Sequence, residues 1–216
     1  MIRFSLFMVA LFQVALLTAQ PVDRTFETVT DSTVINGAER TDAYLHFLKD
    51  KRVAMVVNNT SLINKRHEVD SLLSLGINIT TIFAPEHGFR GDLADGAHVH
   101  SYKDSLTGIS VISLFGNSFK PSKKELENTD IVVFDIQDVG VRFYTYISTM
   151  HYIMEACAEN DIPMIILDRP NPNGHYIDGP VLDSGYQSFV GMHPIPIVHG
   201  LTIGELALMI NGEHWL

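Results

Sequence analysis

Cysteine is almost missing. Cys157 stands alone in 216 residues, so no intrachain disulfide can form and no cysteine-based zinc site can be assembled. It lies in an apolar helical stretch and reads as a core residue. Basic runs are missing too. The formal net charge is −10, and without clustered Lys and Arg the chain is poorly equipped to hold phosphates, which excludes nucleic acid as a partner. There is no Gly-x-Gly-x-x-Gly and no Walker loop, so nothing supports nucleotide binding, and no cofactor is expected. There is no Gly-x-Ser-x-Gly elbow, which argues against a serine hydrolase of that type. There is no His-Glu-x-x-His. His87, Asp92, Asp95, His98 and His100 are the residue types that bind metals, but their spacing matches no metal motif, and solvated loop residues are the better reading.

A long apolar run occurs only at the start. It extends from Phe4 to Leu17, broken by Ser5 and Gln13, with Arg3 the one charge ahead of it. Leu17-Thr18-Ala19 ends in a small residue before Gln20-Pro21. This is the layout of a secretory signal over residues 1–19, too short and too interrupted for a spanning helix. The expected location is periplasmic or secreted, in a bacterium, with no membrane attachment after cleavage. Losing Arg3 makes the chain more acidic still.

Residues 20–37 are polar and weakly patterned, an expected extended lead-in. From residue 38 strand-like and helix-like segments alternate. Apolar runs at 53–57, 77–84, 109–115, 131–136 and 162–167 read as strands buried on both faces. Segments 39–49, 67–75, 122–128, 146–160 and 202–210 read as helices. Gly76 stands where the second helix should end. Ser122 with Glu125, and Thr202 with Glu205, form capping boxes. Such alternation implies an α/β domain over 38–200: a Rossmann-like, open, mainly parallel sheet with helices on both faces.

Ligands of open parallel sheets bind beyond the carboxyl ends of the strands. Here those ends are followed by Asn58 to Ser61, Pro85 to Asp92, Gly116-Asn117, Gln137 to Tyr146 and Asp168 to Gly174. Each edge is polar, and three carry carboxylates. Carboxylates, amides and aromatic rings suit sugars, and acetal cleavage needs a proton donor and a group that stabilises a cation-like centre. Glu86, just past an apolar strand, is the first candidate for the donor. Asp135, Asp138 and Tyr144 are candidates for the second catalytic group. Asp135, Asp138 and Asp168 read equally well as ion-pair partners of Arg142 or Arg169. Asn58, His87, Arg90, Arg142, Tyr146, Asp168, Arg169 and Asn171 are candidates for binding substrate. Two rival readings stand beside a glycosidase: a carbohydrate-binding protein without catalysis, and a metal-dependent hydrolase using His87 and Asp92.

Four long motifs, in order, resemble one known family. They are Pro85 to Gly91 (PEHGFRG), Phe134 to Tyr146 (FDIQDVGVRFYTY), Leu167 to Gly174 (LDRPNPNG) and His199 to Ala207 (HGLTIGELA). The chain from about residue 38 onward is similar to the NamZ-type exo-β-N-acetylmuramidases, glycoside hydrolase family 171. The resemblance implies hydrolysis of β-linked N-acetylmuramic acid from the non-reducing ends of peptidoglycan fragments. It also implies a Rossmann-like domain, a second α/β domain and a cleft between them, with Glu86 as acid/base. Arg142 or Arg90 then suits the lactyl carboxylate of the sugar. Members of the family continue well past Leu216. The expectation is therefore a chain whose second domain is largely missing, with residues 201–216 opening a truncated C-terminal region and an apolar surface left where that domain would dock.

Overall fold

Strand and helix alternate as the hydrophobic pattern requires. In the computed structural model, which describes residues 34–91, 101–116 and 118–216, the chain runs through α1 (Thr41–Leu48), β1 (Arg52–Val57), β2 (Leu62–Ile63) and β3 (Arg66–His67). It continues through α2 (Glu68–Ser74), β4 (Asn78–Ala84), β5 (Tyr102–Lys103), β6 (Ser110–Ser113) and α3 (Lys123–Leu126). It ends with β7 (Ile131–Asp135), α4 (Tyr146–Glu159), β8 (Met164–Ile166) and α5 (Ile203–Gly212). The signal expected at 1–19, and most of the lead-in, lie outside the described residues. Gly37, expected as the end of an extended lead-in, instead starts a 3-10 turn whose N–H is bonded to the Asp168 carbonyl at 2.7 Å.

Six strands form one sheet in the order β5-β6-β4-β1-β7-β8. All neighbours are parallel except β5, which runs antiparallel to β6. Counted along the chain, the five parallel strands lie in the order 3-2-1-4-5, the doubly wound arrangement in which connections diverge on either side of the first strand. β1 shows why both faces are covered. Val53, Met55 and Val57 face one layer with Tyr44 and Leu48 of α1 and Val69 and Leu72 of α2. Ala54 and Val56 face the other, with Ile147, Met150 and Ile153 of α4 and Leu206 and Ile210 of α5. Successive side chains of a strand point to opposite faces, so a strand buried on both must be apolar throughout.

β4 departs from strict alternation. Val53 pairs with Ile79, but Ala54 pairs with Thr81. Thr80 is thus an extra residue, a bulge that puts Ile79 and Ile82 in the same layer despite their odd spacing. Its hydroxyl donates to the Asn128 carbonyl at 3.0 Å. Strands β6 and β8 are shorter than the apolar runs suggest, because β8 has β7 as its one partner and β6 has only the two-residue β5 on its outer side.

No break falls at residue 200. Residues 34–216 form one compact unit, and α5, expected to open a separate region, packs into the core layer of α4. Thr202 caps α5: its hydroxyl accepts from Glu205 N and donates to Asp168 Oδ2 at 2.6 Å, while Asp168 Oδ1 accepts from Gly204 N at 2.9 Å. Among the described residues, no helix is long and apolar enough to cross a membrane.

Thr202→Ala removes both the cap and the link to Asp168. It should destabilise the fold by about 1–2 kcal/mol, measured by urea unfolding, whereas Thr202→Ser should stay close to wild type.

Candidate active site

The connections diverge on either side of β1, and polar side chains converge there. Asn58 follows β1, Glu86 follows β4, and Asp138 follows β7. The turn after β4 closes with Gly88 N donating to Pro85 O at 3.0 Å. His87 and Gly88 both have positive φ (70° and 80°). For His87, a half-buried residue with a side chain on its β-carbon, that conformation is unusual. It turns the chain so that Phe89 is fully buried against His67 while Glu86 stays at the rim.

Glu86 Oε2 accepts a hydrogen bond from Thr145 Oγ1 at 3.0 Å. Thr145 is the N-cap residue of α4, yet its hydroxyl makes no cap bond. A side chain that would ordinarily satisfy the helix's own N–H groups holds the candidate acid instead. Tyr144 and Tyr146 flank Thr145 in the chain and meet edge to face, with ring centroids 5.0 Å apart. Tyr144 is half-buried. Tyr146 is buried, and its hydroxyl is pushed up to about 12, chiefly by burial and further by Tyr144, Glu86 and Asp138. It therefore remains a neutral phenol. Asn58 is fully buried. Its Oδ1 accepts from Thr60 N at 2.9 Å and Thr60 Oγ1 at 2.6 Å, and its side chain also meets the Tyr146 hydroxyl.

Asp138 lies deeper. Oδ2 accepts from Gly140 N at 2.8 Å, Oδ1 has no partner among the described residues, and burial pushes the carboxyl up to about 6. His199 Nε2 is 4.0 Å from Oδ2, too far for a hydrogen bond. Its Nδ1 accepts from Leu201 N at 3.3 Å, so the ring proton sits on Nε2. Burial lowers the His199 pKa, which keeps the ring neutral. Sequence reasoning singled out neither His199 nor Thr145 as a functional residue. The available signal was their place inside the second and fourth motifs, beside residues that were chosen.

Several candidates are engaged elsewhere. Asp135 is not a catalytic group: it is fully buried, and both oxygens are held by Arg169, Nε to Oδ1 at 2.5 Å and Nη2 to Oδ2 at 2.7 Å. Arg169 is committed to this pair, and its Nη2 also donates to Leu62 O at 3.1 Å. Asp168 serves the start of α5. Asn171 donates to Leu201 O and accepts from Asn173 N, both at 2.8 Å, and packs so tightly on Gly140 that a side chain there would overlap its amide. Arg90 is locked between Asp104 and Asp70, with its guanidinium 4.5 Å from the Phe89 ring centroid. Arg142 donates from Nη1 to Pro180 O at 2.8 Å and Ile195 O at 2.6 Å. Among the described residues no carboxylate pairs with it, unlike Arg90 and Arg169. Of the metal-like residues, Asp92, Asp95, His98 and His100 lie outside the described residues, and among the rest no three His, Cys, Asp or Glu side chains gather.

Sequence reasoning also missed Glu68, at the start of α2. It is fully buried, and burial, then the charge of Asp135, hold its carboxyl well above the ordinary glutamate range. Cys157, expected in the core, is buried, and its thiol is raised to about 12.

This fold and motif set have relatives. The model of the N-terminal part of exo-beta-N-acetylmuramidase NamZ matches residues 53–216. Peptidoglycan beta-N-acetylmuramidase NamZ of Bacillus subtilis (strain 168) is 52% identical over 176 residues, covering 79% of this chain and 42% of that protein. Two solved DUF1343 family proteins of Bacteroides fragilis NCTC 9343 share the fold. One has a TM-score of 0.76 and 53% identity, over 86% of this chain and 48% of its own. The other has 0.77 and 45%, over 84% and 46%. The chain thus spans somewhat under half the length of these relatives.

Two variants test the buried charges under the rim. Arg169→Met leaves Asp135 unpaired and should destabilise the fold by about 3–5 kcal/mol in urea unfolding. Glu68 binds a proton in the folded state that the unfolded chain has already released above the ordinary glutamate range, so stability falls as pH rises through that window. Glu68→Gln removes the effect: its melting temperature should exceed that of wild type by more at about pH 8 than at about pH 5.

Proposed function

The chain belongs to the exo-beta-N-acetylmuramidase NamZ N-terminal family, and on that basis we propose that it carries the acid-bearing rim of an enzyme releasing terminal β-linked N-acetylmuramic acid from peptidoglycan fragments. One observation supports this most: the Pro85-Glu86-His87-Gly88 turn presents a carboxyl at the strand ends, with Thr145 holding one of its oxygens. Fold alone would not support an activity, since one fold serves many. A carboxyl at the rim among tyrosines and amides is suited to acetal hydrolysis.

In the proposed reaction Thr145 fixes Glu86 through Oε2, leaving Oε1 to carry the proton. That proton passes to the glycosidic oxygen as the bond to the anomeric carbon breaks, and the leaving sugar departs as an alcohol. A water adds to the anomeric carbon and gives up a proton to solvent, and Glu86 takes a proton back from solvent, which completes hydrolysis and restores the acid. Tyr144, half-buried and next to Thr145 in the chain, is the group proposed to reach the anomeric side. Asp138 is too buried to touch a sugar, and acts by placing negative charge beneath the developing cation. The unpaired edge of the Arg142 guanidinium suits the lactyl carboxylate. Asn58, His87 and Tyr146 complete the proposed binding surface. The leader-like pattern at residues 1–19 supports action outside the cytoplasm, in the periplasm or secreted, where cell-wall fragments are found.

The test is release of N-acetylmuramic acid from a MurNAc–GlcNAc disaccharide by the protein at its longest encoded length. Glu86→Gln should bind the disaccharide but turn it over roughly 10²–10⁴-fold more slowly. Turnover unaffected by the substitution would remove Glu86 from the mechanism. No release by the folded wild type would remove the muramidase reading.

A further inference from the structure

A cavity of about 410 Å3 lies on the flank of α4, apart from the Glu86 rim. Its polar lining is His151, Glu155, Gln187 and His193, and its aromatic lining is Tyr152 and Trp215. The volume falls in the range of small-molecule sites. We propose that this cavity is a second saccharide site, fitted to a neutral N-acetylated pyranose of the N-acetylglucosamine type. The choice of sugar rests on the muramidase reading, because N-acetylglucosamine is the neutral sugar of peptidoglycan.

The aromatic walls are held before any ligand arrives. Trp215 lies over His193, with ring centroids 5.7 Å apart and planes within 29°. Tyr152 stacks in one set with Phe189 and Phe119, whose planes lie within 12° and 20° of its own. Fixed rings of this kind offer apolar faces at little entropic cost.

The polar groups fit hydroxyls. His193 is 1% exposed. Its Nε2 faces His151 Nδ1 at 3.1 Å, and its Nδ1 has no partner among the described residues. Either ring can donate in that contact. The Nε2 of His151, whose ring lines the cavity, is then a donor in one tautomer and an acceptor in the other, and a sugar hydroxyl can satisfy both. Gln187 gives its Nε2 hydrogen to Met192 O at 2.9 Å, which leaves its carbonyl to accept.

Charge selects against an acidic sugar. Burial lowers both histidines, His193 to about 4, so the pair is neutral near pH 7. Lys120 binds Glu155 at 3.1 Å and Glu159 at 2.8 Å, so one lysine faces two carboxylates at this edge of the cavity. N-acetylmuramic acid brings a carboxylate to that surface, and N-acetylglucosamine does not.

Trp215 is the only tryptophan of the chain, so its emission reports on this cavity directly. Titrating the full chain with N-acetylglucosamine should change the emission saturably. N-acetylmuramic acid should bind at least about tenfold more weakly. Tyr152→Ala and His193→Gln, each shown to be folded by its thermal melt, should weaken the response by about tenfold, and Glu155→Gln should narrow the preference between the two sugars. Glu86→Gln should leave the response intact. A flat titration, equal affinity for both sugars, or a response untouched by Tyr152→Ala and His193→Gln would each overturn the proposal. A flat titration beside normal N-acetylmuramic acid release removes this site alone, whereas saturable binding without any release by the protein at its longest encoded length removes the muramidase reading alone.

Discussion

The rim depends on one buried ion pair. Asp135 is the last residue of β7, and Arg169 lies just past β8. Their two hydrogen bonds fix the ends of neighbouring strands to each other. Arg169 also reaches Leu62 O, and the Ser61 hydroxyl donates to Asp135 O, so the loop after β1 is tied to the same point. Burying two charges costs several kcal/mol per ion unless geometry and further hydrogen bonds offset it. Here the pairing is two-pronged, and Nη2 also donates to the Leu62 carbonyl. Glu68, buried beside this pair, is kept from adding a second negative charge by holding its proton.

That constraint explains how the candidate acid can stand at the surface. The loops after β1 and β7 are knitted to each other by Gln137 N donating to Thr60 Oγ1 at 3.0 Å. The second of these loops leads into Thr145 and the start of α4. Thr145 is thus held by a rigid base and can hold Glu86 in turn. A positioned carboxyl is what general acid catalysis requires. Precision at Glu86 is inherited from residues that never meet a substrate.

The sheet was legible because burial on both faces forces uninterrupted apolar runs, and both capping boxes were legible because their signal spans only three residues. What escaped was set by more distant or less regular features. The hairpin β2–β3 turns through Asn64 and Lys65, both at positive φ (47° and 70°), without the glycine that usually marks such a turn. The Thr80 bulge leaves no mark in composition. At the site, Glu86 and the tyrosines were found because they follow strands in polar loops. Arg90, Arg169 and Asp168 occupy similar loops and Asp135 ends a strand, but their partners, Asp70 and Asp104 for Arg90, Thr202 for Asp168 and each other for Asp135 and Arg169, are chosen by the tertiary fold. Loop position alone cannot separate a residue that binds a ligand from one that binds the protein.

The chain spans somewhat under half the length of its relatives, and the central claim is chemical: Glu86 protonates the leaving oxygen. The most direct measurement compares leaving groups. A sugar leaving group needs that proton, whereas an activated phenol departs without it. Glu86→Ala, in the protein at its longest encoded length, should lose most of its activity on the MurNAc–GlcNAc disaccharide while keeping most of it on an activated aryl β-N-acetylmuraminide. Equal loss on both substrates would show that Glu86 does something other than protonate the departing oxygen, and would contradict the account.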